Sequence, residues 1–324
     1  MNLDIGSLNA SYKETKKEEI SSSSYLEKFV RMPDGKGSVI LRILPPAPEG
    51  AFDRKKSPFF QWTRIHKVNG KSLHDPREKV NGRWVGNNPI GDYLKWLWKE
   101  SEQKPPKERD VMQNTYREMK PIERYYYNVI VRTETDENGN VHKNVGPKIL
   151  SVGKTVHELI LRGICGDDEM NIEGFGDVTD FKTGRDFKLI KAIRKSGENT
   201  YPNYEASVFL EPSPAGTPEE CEEWMKNLHD LVSLRVLKSP EELENELAVH
   251  LGYKQEETSG FDPSKFEKNN VESVIFEQIK DSPTASENSS SSSDDDDEMS
   301  SVNEDDDLDV EADADFLSEL RDLK

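Results

Sequence analysis

The chain has 324 residues, with 44 Lys and Arg, 63 Asp and Glu, and a formal net charge of −19. Hydrophobic residues make up 33%; even with the glycines added this falls short of the roughly 45–50% apolar content of soluble domains, so part of the chain lies outside a packed core. No stretch approaches the ~18 apolar residues of a membrane span, Met1–Ile20 carries no apolar signal segment, and Cys165 and Cys221 are too few for a disulfide framework or a four-thiolate metal site, so a reduced, intracellular, acidic protein is expected.

Residues 1–24 read as a charged N-terminal arm, ended by the serines 21–24. Ser38–Leu44 is a short β-branched run closed by Pro45-Pro46 and predicts a buried strand. Phe59–Lys67 predicts a second strand, with Asn69-Gly70 as the turn after it. Lys67-Val-Asn-Gly70 recurs as Lys79-Val-Asn-Gly82, which reads as two turns of the same chemistry. Asp92–Glu100 predicts a short helix, and Lys104–Arg109, with Pro105-Pro106, an exposed loop. Tyr125–Arg132 is the clearest strand, and Asp136–Asn140 after it predicts a hairpin into Val141. Thr155–Ile164 has the spacing of a helix. Phe187–Ile193 and Tyr204–Leu210 predict further strands.

Beyond Pro212 the pattern turns helical. Thr217-Pro-Glu-Glu220 and Ser239-Pro-Glu-Glu242 are two capping boxes with Pro at the first helical position. Trp224, Leu228, Leu231 and Val232 form one apolar face, and Leu243, Leu247 and Leu251 another. From about Glu256 periodicity is lost, and the Ser289–Ser293 and Asp294–Asp297 runs predict disorder.

The charge is segregated. Residues 281–324 hold 17 acids and 2 bases, a net of −15. Residues 219–280 carry −8, residues 28–218 carry +6 and residues 1–27 carry −2. A mildly basic body with an acidic tail is the pattern of a nucleic-acid-binding domain with an interaction tail.

Catalytic signatures are lacking. Gly146–Thr155 ends in Gly-Lys-Thr, but six residues separate Gly146 from Gly153 where a phosphate loop needs four. There is no His-Glu-x-x-His pattern and no nucleophile elbow. Asp167-Asp-Glu169 reads as an exposed acidic turn. An enzyme is not expected.

Cations and aromatics do interleave in the body. Trp62, Arg64, His66 and Lys67 share a strand, and Arg83 and Trp84 flank a turn. Tyr116, Lys120, Arg124, Tyr125, Tyr126 and Tyr127 form the densest group, and Arg194, Lys195, Tyr201 and Tyr204 another. Such a mixture suits single-stranded nucleic acid, where cations track phosphates and each stacked base contributes ~1–3 kcal/mol. In a strand, Tyr126 must face away from Tyr125 and Tyr127, so at least one side is core. In the tail, Phe316, Leu317, Leu320 and Leu323 place an apolar face on an acidic tether, as partner-docking peptides do. Its carboxylates are suited to occupy a basic groove when DNA is absent.

Taken in order, these segments resemble the T-even-type bacteriophage single-stranded DNA-binding (helix-destabilising) protein family over roughly residues 25–324. Val39-Ile-Leu-Arg-Ile-Leu-Pro45 is similar to the family's early strand. His66 with Asn-Gly-Lys71 matches its zinc-ligand histidine and following turn. Tyr116, Lys120, Tyr125 and Tyr126 fall at the spacing of its DNA-contacting residues. Gly153-Lys154, Asp177-Val-Thr179, Ser196-Gly197 and Tyr204 follow in order. The resemblance implies a β-rich α+β fold: an oligonucleotide-binding (OB-fold) barrel with a small subdomain at about 60–120, C-terminal helices at 217–251, and a disordered acidic tail.

It also implies a DNA-binding core at 25–255 that coats single strands cooperatively. Residues 1–24 would serve self-association, and residues 256–324 would recruit phage replication proteins such as a helicase loader, polymerase and recombination mediator. The DNA-binding candidates are Arg42, Trp62, Arg64, Lys67, Lys71, Arg83, Trp84, Tyr93, Tyr116, Lys120, Arg124, Tyr125, Tyr126, Lys154, Arg194, Lys195, Tyr201 and Tyr204. The competing readings are an acidic-tailed chaperone or scaffold for basic proteins, and an RNA-binding regulator.

Two departures from the family stand out. Asn88-Pro-Ile-Gly91 lies where the family has Cys-Pro-Val-Cys, and Asp75 stands for the remaining thiolate, so no zinc is expected. Trp84, Tyr93, Trp96 and Trp98 are expected to pack the subdomain instead. The N-terminal arm mixes Lys13, Lys16 and Lys17 with Glu14, Glu18 and Glu19, unlike the family's basic segment.

Overall fold

The structure is a computed structural model that describes residues 26–33, 35–81, 83–135, 140–196 and 199–252. Its strands are β1 (Gly37–Ile43), β2 (Gln61–Val68), β3 (Lys71–His74), β4 (Glu78–Val80), β5 (Arg83–Val85), β6 (Ile122–Thr135), β7 (Val141–Val152), β8 (Gly166–Asp167), β9 (Ile172–Glu173), β10 (Arg185–Ser196), β11 (Asn199–Asn203) and β12 (Val208–Pro212). The helices are α1 (Pro89–Ser101), α2 (Pro106–Met119), α3 (Lys154–Cys165), α4 (Pro218–Lys226) and α5 (Pro240–His250). The fold is a sheet-rich α+β arrangement, mostly antiparallel. The main sheet runs β11-β10-β1-β6-β2-β3, with β12 also on β10 and β7 also on β6.

The described chain divides into two compact units. One comprises the residues up to Ile65 together with Ile122–Val236; the other comprises His66–Pro121 and the residues from Leu237 on. The two capped helices are therefore divided, α4 to the first unit and α5 to the second.

The first unit is organised by β6. Arg124 through Val131 are all buried, and their side chains alternate between two cores. Tyr125, Tyr127, Val129 and Val131 join Leu41, Ile43, Leu150, Val156, Ile160, Phe187 and Leu189 on one face. Tyr126 turns to Phe29, Ile65, Ile149 and Leu231, and Ile130 to Leu44, Cys221, Trp224 and Leu228. The period of two dictates this division, and both sides of the tyrosine run are core. Asn128 is buried but satisfied: its Nδ2 donates to the His229 carbonyl at 3.0 Å and its Oδ1 accepts from the His229 N–H at 2.9 Å.

Turns and caps follow local chemistry. The β6–β7 hairpin closes with Thr135 opposite Val141, where the sequence predicts it. Asn69 and Gly70 both have positive φ, 54° and 69°, the conformation a tight two-residue hairpin between β2 and β3 requires. Both capping boxes form, Thr217 with Glu220 and Ser239 with Glu242. The second unit packs Val68, Leu73, Ile90, Tyr93, Leu94, Leu97, Met112, Met119, Leu243 and Leu247 into one core.

Four expectations are corrected. The strand expected at Tyr204–Leu210 begins only at Val208, because the chain turns first, with the Ser207 N–H donating to the Tyr204 carbonyl at 2.9 Å. The exposed loop expected at Lys104–Arg109 is largely the start of α2, because Pro106 sits at N1, where proline begins helices as readily as it ends strands. The helical face through Leu231 and Val232 is broken at Lys226, and Leu231–Leu234 is a separate 3-10 turn capped by Asp230. Trp84 does not pack the second unit's core: it is 37% exposed on β5. Tyr93 does, and Trp96 packs against the same core.

Arg42 is a structural cation. It is fully buried on β1; Nε donates to Asp186 Oδ1 at 2.7 Å, Nη1 to the Asp180 carbonyl at 3.2 Å and Nη2 to the Ser213 carbonyl at 2.7 Å. Asp186 keeps Arg132, whose Nε donates to Oδ2 at 2.9 Å, but without Arg42 the Asp180 and Ser213 carbonyls lose the donors it supplies. Arg42→Met is expected to lower unfolding free energy by about 3 kcal/mol, seen as a lower urea midpoint at unchanged slope. An unchanged midpoint would show that Arg42 holds nothing together.

Candidate nucleic-acid interface

On β2, Thr63 and Ile65 point inward and are buried, so Trp62 and Arg64 share the other face, each half-buried. The register sets Trp62 directly opposite Tyr125 and Arg64 opposite Glu123. Phe59 and Phe60, just before β2, pack with Trp62 against the same core. The Phe59 ring lies 5.5 Å from Tyr127, and the Phe60 ring 4.6 Å from His157. This edge of the first unit is a cross-strand aromatic patch with one cation beside it.

His157 of α3 closes the patch from inside. Its ring stacks on Tyr125 at 3.6 Å and 11°. Its Nδ1 lies 2.6 Å from Tyr127 Oη. Burial pushes the Tyr127 phenol up, so it keeps its proton and is suited to donate it to Nδ1. Burial, then Glu123, whose Oε2 accepts from Tyr125 Oη at 3.0 Å, push the Tyr125 phenol up as well. Burial pushes His157 down to about 4. The group is therefore uncharged at neutral pH and packs as buried rings beneath the patch.

The candidates drawn from sequence separate by exposure. Arg42 is taken up by Asp186. Arg124, at 2% exposed, Tyr126, at 1%, and Tyr93, at 3%, are buried in their units, which corrects their assignment to a contact surface. Tyr125 is corrected likewise: it is 9% exposed and His157 covers one face of its ring. Lys71 is tied to Glu246, with Nζ 3.0 Å from both carboxylate oxygens. Trp62, Arg64, Lys67, Tyr116, Lys120, Tyr201 and Tyr204 are half-buried, and Arg83, Trp84, Lys154, Arg194 and Lys195 are exposed. The tail candidates Phe316, Leu317, Leu320 and Leu323 lie outside the described residues.

Two further groupings emerge. On the β10–β11 hairpin, Arg194 lies opposite Tyr201 with Lys195 next to it. Arg194 meets Glu205 at 2.7 Å, but both side chains are more than half exposed, and such a pair is worth at most ~1 kcal/mol. In the second unit, every described residue of β4 and β5 is exposed. Lys79 Nζ stands 5.9 Å from the Trp84 ring centre, with Arg83 adjacent. A two-stranded ribbon is marginal by itself, and this one leaves Val80, Trp84 and Val85 to solvent. Sequence reading missed Phe59, Phe60 and His157; the doublet before an aromatic strand and the 156/157/160 spacing on α3 were the available signals.

Two tests follow. Trp84→Ala is expected to leave stability unchanged and weaken single-strand binding by ~1–3 kcal/mol; unchanged affinity would remove the β4–β5 ribbon from the interface. For His157, the ordinary value is 6.5 and the folded value about 4. The unfolded chain binds the proton first, so stability present above pH 6.5 is lost as pH falls toward 4, by about 3 kcal/mol. Urea unfolding at neutral pH and near pH 4 should show His157→Phe losing that much less than the parent; equal losses would mean that His157 titrates normally.

The family model described as gp32 DNA binding protein like matches residues 35–252, which include the five helices and twelve strands of the described residues. A search among curated proteins finds no match to the chain. With two-thirds of its length matched, the chain belongs to the gp32-like DNA-binding protein family.

Proposed function

We propose that this protein coats single-stranded DNA, without catalysing a reaction, during phage DNA replication, recombination and repair. The observation that carries the reading is the pairing of accessible aromatics with cations: Trp62 with Arg64, Tyr201 with Arg194, and Trp84 with Lys79 and Arg83. Unpaired bases offer ring faces for the aromatics, and the phosphates between them suit the cations. A duplex offers only its phosphates and groove edges to such surfaces.

The finer parts of the reading rest on sequence and family. The body is read as an OB-fold with a subdomain. The protein works in the cytoplasm of the infected bacterium and self-associates along DNA through residues 1–24. The acidic tail, net −15 over residues 281–324, competes for the DNA surface, and its apolar end recruits the helicase loader, polymerase and recombination mediator.

Titration with poly(dT) while following tryptophan fluorescence tests the core claim. Quenching at low salt is expected, with a salt slope of about −0.7 per phosphate neutralised. Absence of quenching would favour the chaperone or scaffold reading, and a preference for poly(U) the RNA-binding one. Deleting residues 281–324 should tighten binding and steepen the slope. Unchanged affinity at low salt would end the competition idea and leave the DNA reading intact.

A further inference from the structure

The segment His66–Gly91 of the second unit gathers polar side chains in a place that composition alone would leave apolar. His66 is 1% exposed, Asp75 2%, Arg77 8% and Asn88 0%. The family resemblance places a zinc ion here, so the residues present are to be weighed against that metal. The segment's buried donors are the imidazoles of His66 and His74 and the Asp75 carboxylate, with no thiolate, since Cys165 and Cys221 are both in the first unit; among the described residues no three His, Cys, Asp or Glu side chains gather as a metal site. Structural zinc takes four ligands, mostly thiolate and imidazole.

The lone pairs of Asp75 and His66 are also engaged. Asp75 Oδ1 accepts from the Arg77 backbone N–H at 3.0 Å and from Arg77 Nε at 3.1 Å, and Oδ2 accepts from Nη2 at 3.0 Å. His66 Nδ1 lies 3.0 Å from the Met119 carbonyl, which only accepts, so Nδ1 carries a proton. His66 Nε2 then accepts from Asn88 Nδ2 at 3.0 Å. Its 3.7 Å separation from Asp75 Oδ2 is too long for a hydrogen bond. Asn88 Oδ1 accepts from the Gly91 N–H at 3.2 Å as the N-cap of α1. The set does not fit a divalent metal.

A cation is nonetheless present. A Cβ added at Gly91 would lie 2.6 Å from Arg77 Cζ, so the guanidinium fills the space that a side chain at 91 would need. A Cβ at Gly86, whose φ is +126°, would meet Arg77 Cα at 3.2 Å. Two glycines thus make room for one arginine. The guanidinium sits between the carboxylate that follows β3 and the first turn of α1.

We infer that Arg77 replaces a structural metal: its guanidinium, clamped by Asp75 and seated against Gly91, is the cation around which this segment folds. The planar fork suits the job, because it binds both carboxylate oxygens and needs no deprotonated thiols. Arg77 immediately precedes β4, so the clamp also anchors the ribbon that carries Lys79, Arg83 and Trp84. The ribbon's footing then depends on neither metal supply nor thiol oxidation.

The test uses the full chain. Protein purified without chelator should contain no stoichiometric zinc, and excess chelator should leave its Tm unchanged. One equivalent of zinc, or a Tm lowered by chelator, would overturn the inference. Arg77→Met should lower Tm by on the order of 10 °C, and Arg77→Lys, which keeps charge but loses the fork, should recover only part of it. A parental Tm for Arg77→Met would also overturn the inference. Gly91→Ala should destabilise the parent by displacing the guanidinium, yet cost little once Arg77 is Ala. Equal cost in both backgrounds would show that the guanidinium does not fill that space. Should the Arg77 variants fail to fold, the metal content, the chelator comparison and Gly91→Ala in the parent still decide the matter. None of these readouts depends on DNA binding.

Discussion

The first unit depends on a strand whose central eight residues are all buried. β6 is paired with β1, β2 and β7, and eight consecutive residues, Arg124–Val131, are buried. A strand with neighbours on both edges and cores on both faces gives every side chain to packing. Three tyrosines in such a strand bury large ring areas, each of order 150–250 Å², and need hydroxyl partners: Tyr125 finds Glu123 and Tyr127 finds His157. Within the first unit the more accessible aromatics and cations lie on other strands, Trp62 and Arg64 on β2 and Arg194, Lys195 and Tyr201 on the β10–β11 hairpin. What looks in sequence like the densest binding cluster is mostly core.

That burial bears on which features were legible. Strand and hairpin positions were, because β-branched runs and Asn-Gly turns act within a few residues: β1, β6, the β6–β7 turn and both capping boxes lie where local chemistry puts them. The start of α2 was not, since Pro105-Pro106 is equally good loop and helix-entry chemistry, and only burial of Met112 and Met119 separates the two. Candidate cations were least legible. Arg42 meets Asp186 144 residues away in sequence, and a window of sequence shows a charge without showing its partner. The same holds for the tyrosines: alternation told that Tyr126 opposes Tyr125 and Tyr127, but not that both sides are covered.

Arg42 and Arg77 use one device in two places. Each is a buried guanidinium held by a carboxylate, and each also fits where a small residue leaves space: Gly184 beside Arg42, Gly91 beside Arg77. Guanidinium is less strongly hydrated than ammonium and is planar, so it enters a core at lower cost and fixes the orientation of what it binds. Neither pair need add net stability over an apolar core, but removing Arg77 leaves the Asp75 carboxylate buried without its guanidinium, whereas Asp186 without Arg42 still has Arg132. Their contribution is geometric: one ties β1 to the loops around Asp180 and Ser213, the other ties the approach to β4 to the start of α1.

Internal pairing also changes what the surface charge means. Residues 28–218 carry 32 bases and 26 acids. Each buried or half-buried pair within that stretch, such as Arg42 with Asp186, Arg77 with Asp75 or Lys148 with Glu134, withdraws one charge of each sign. Other pairs withdraw cations alone from that stretch: Arg132 shares Asp186 with Arg42, and Arg54 and Lys71 meet Asp230 and Glu246 beyond it. A polyanion meets the surface, not the composition. Counterion release depends on the number of phosphates neutralised by cations able to meet them, so attraction to DNA rests on those cations rather than on the net charge. Residues beyond 218 carry −8 and −15, so the sign of the whole protein and the sign of residues 28–218 differ.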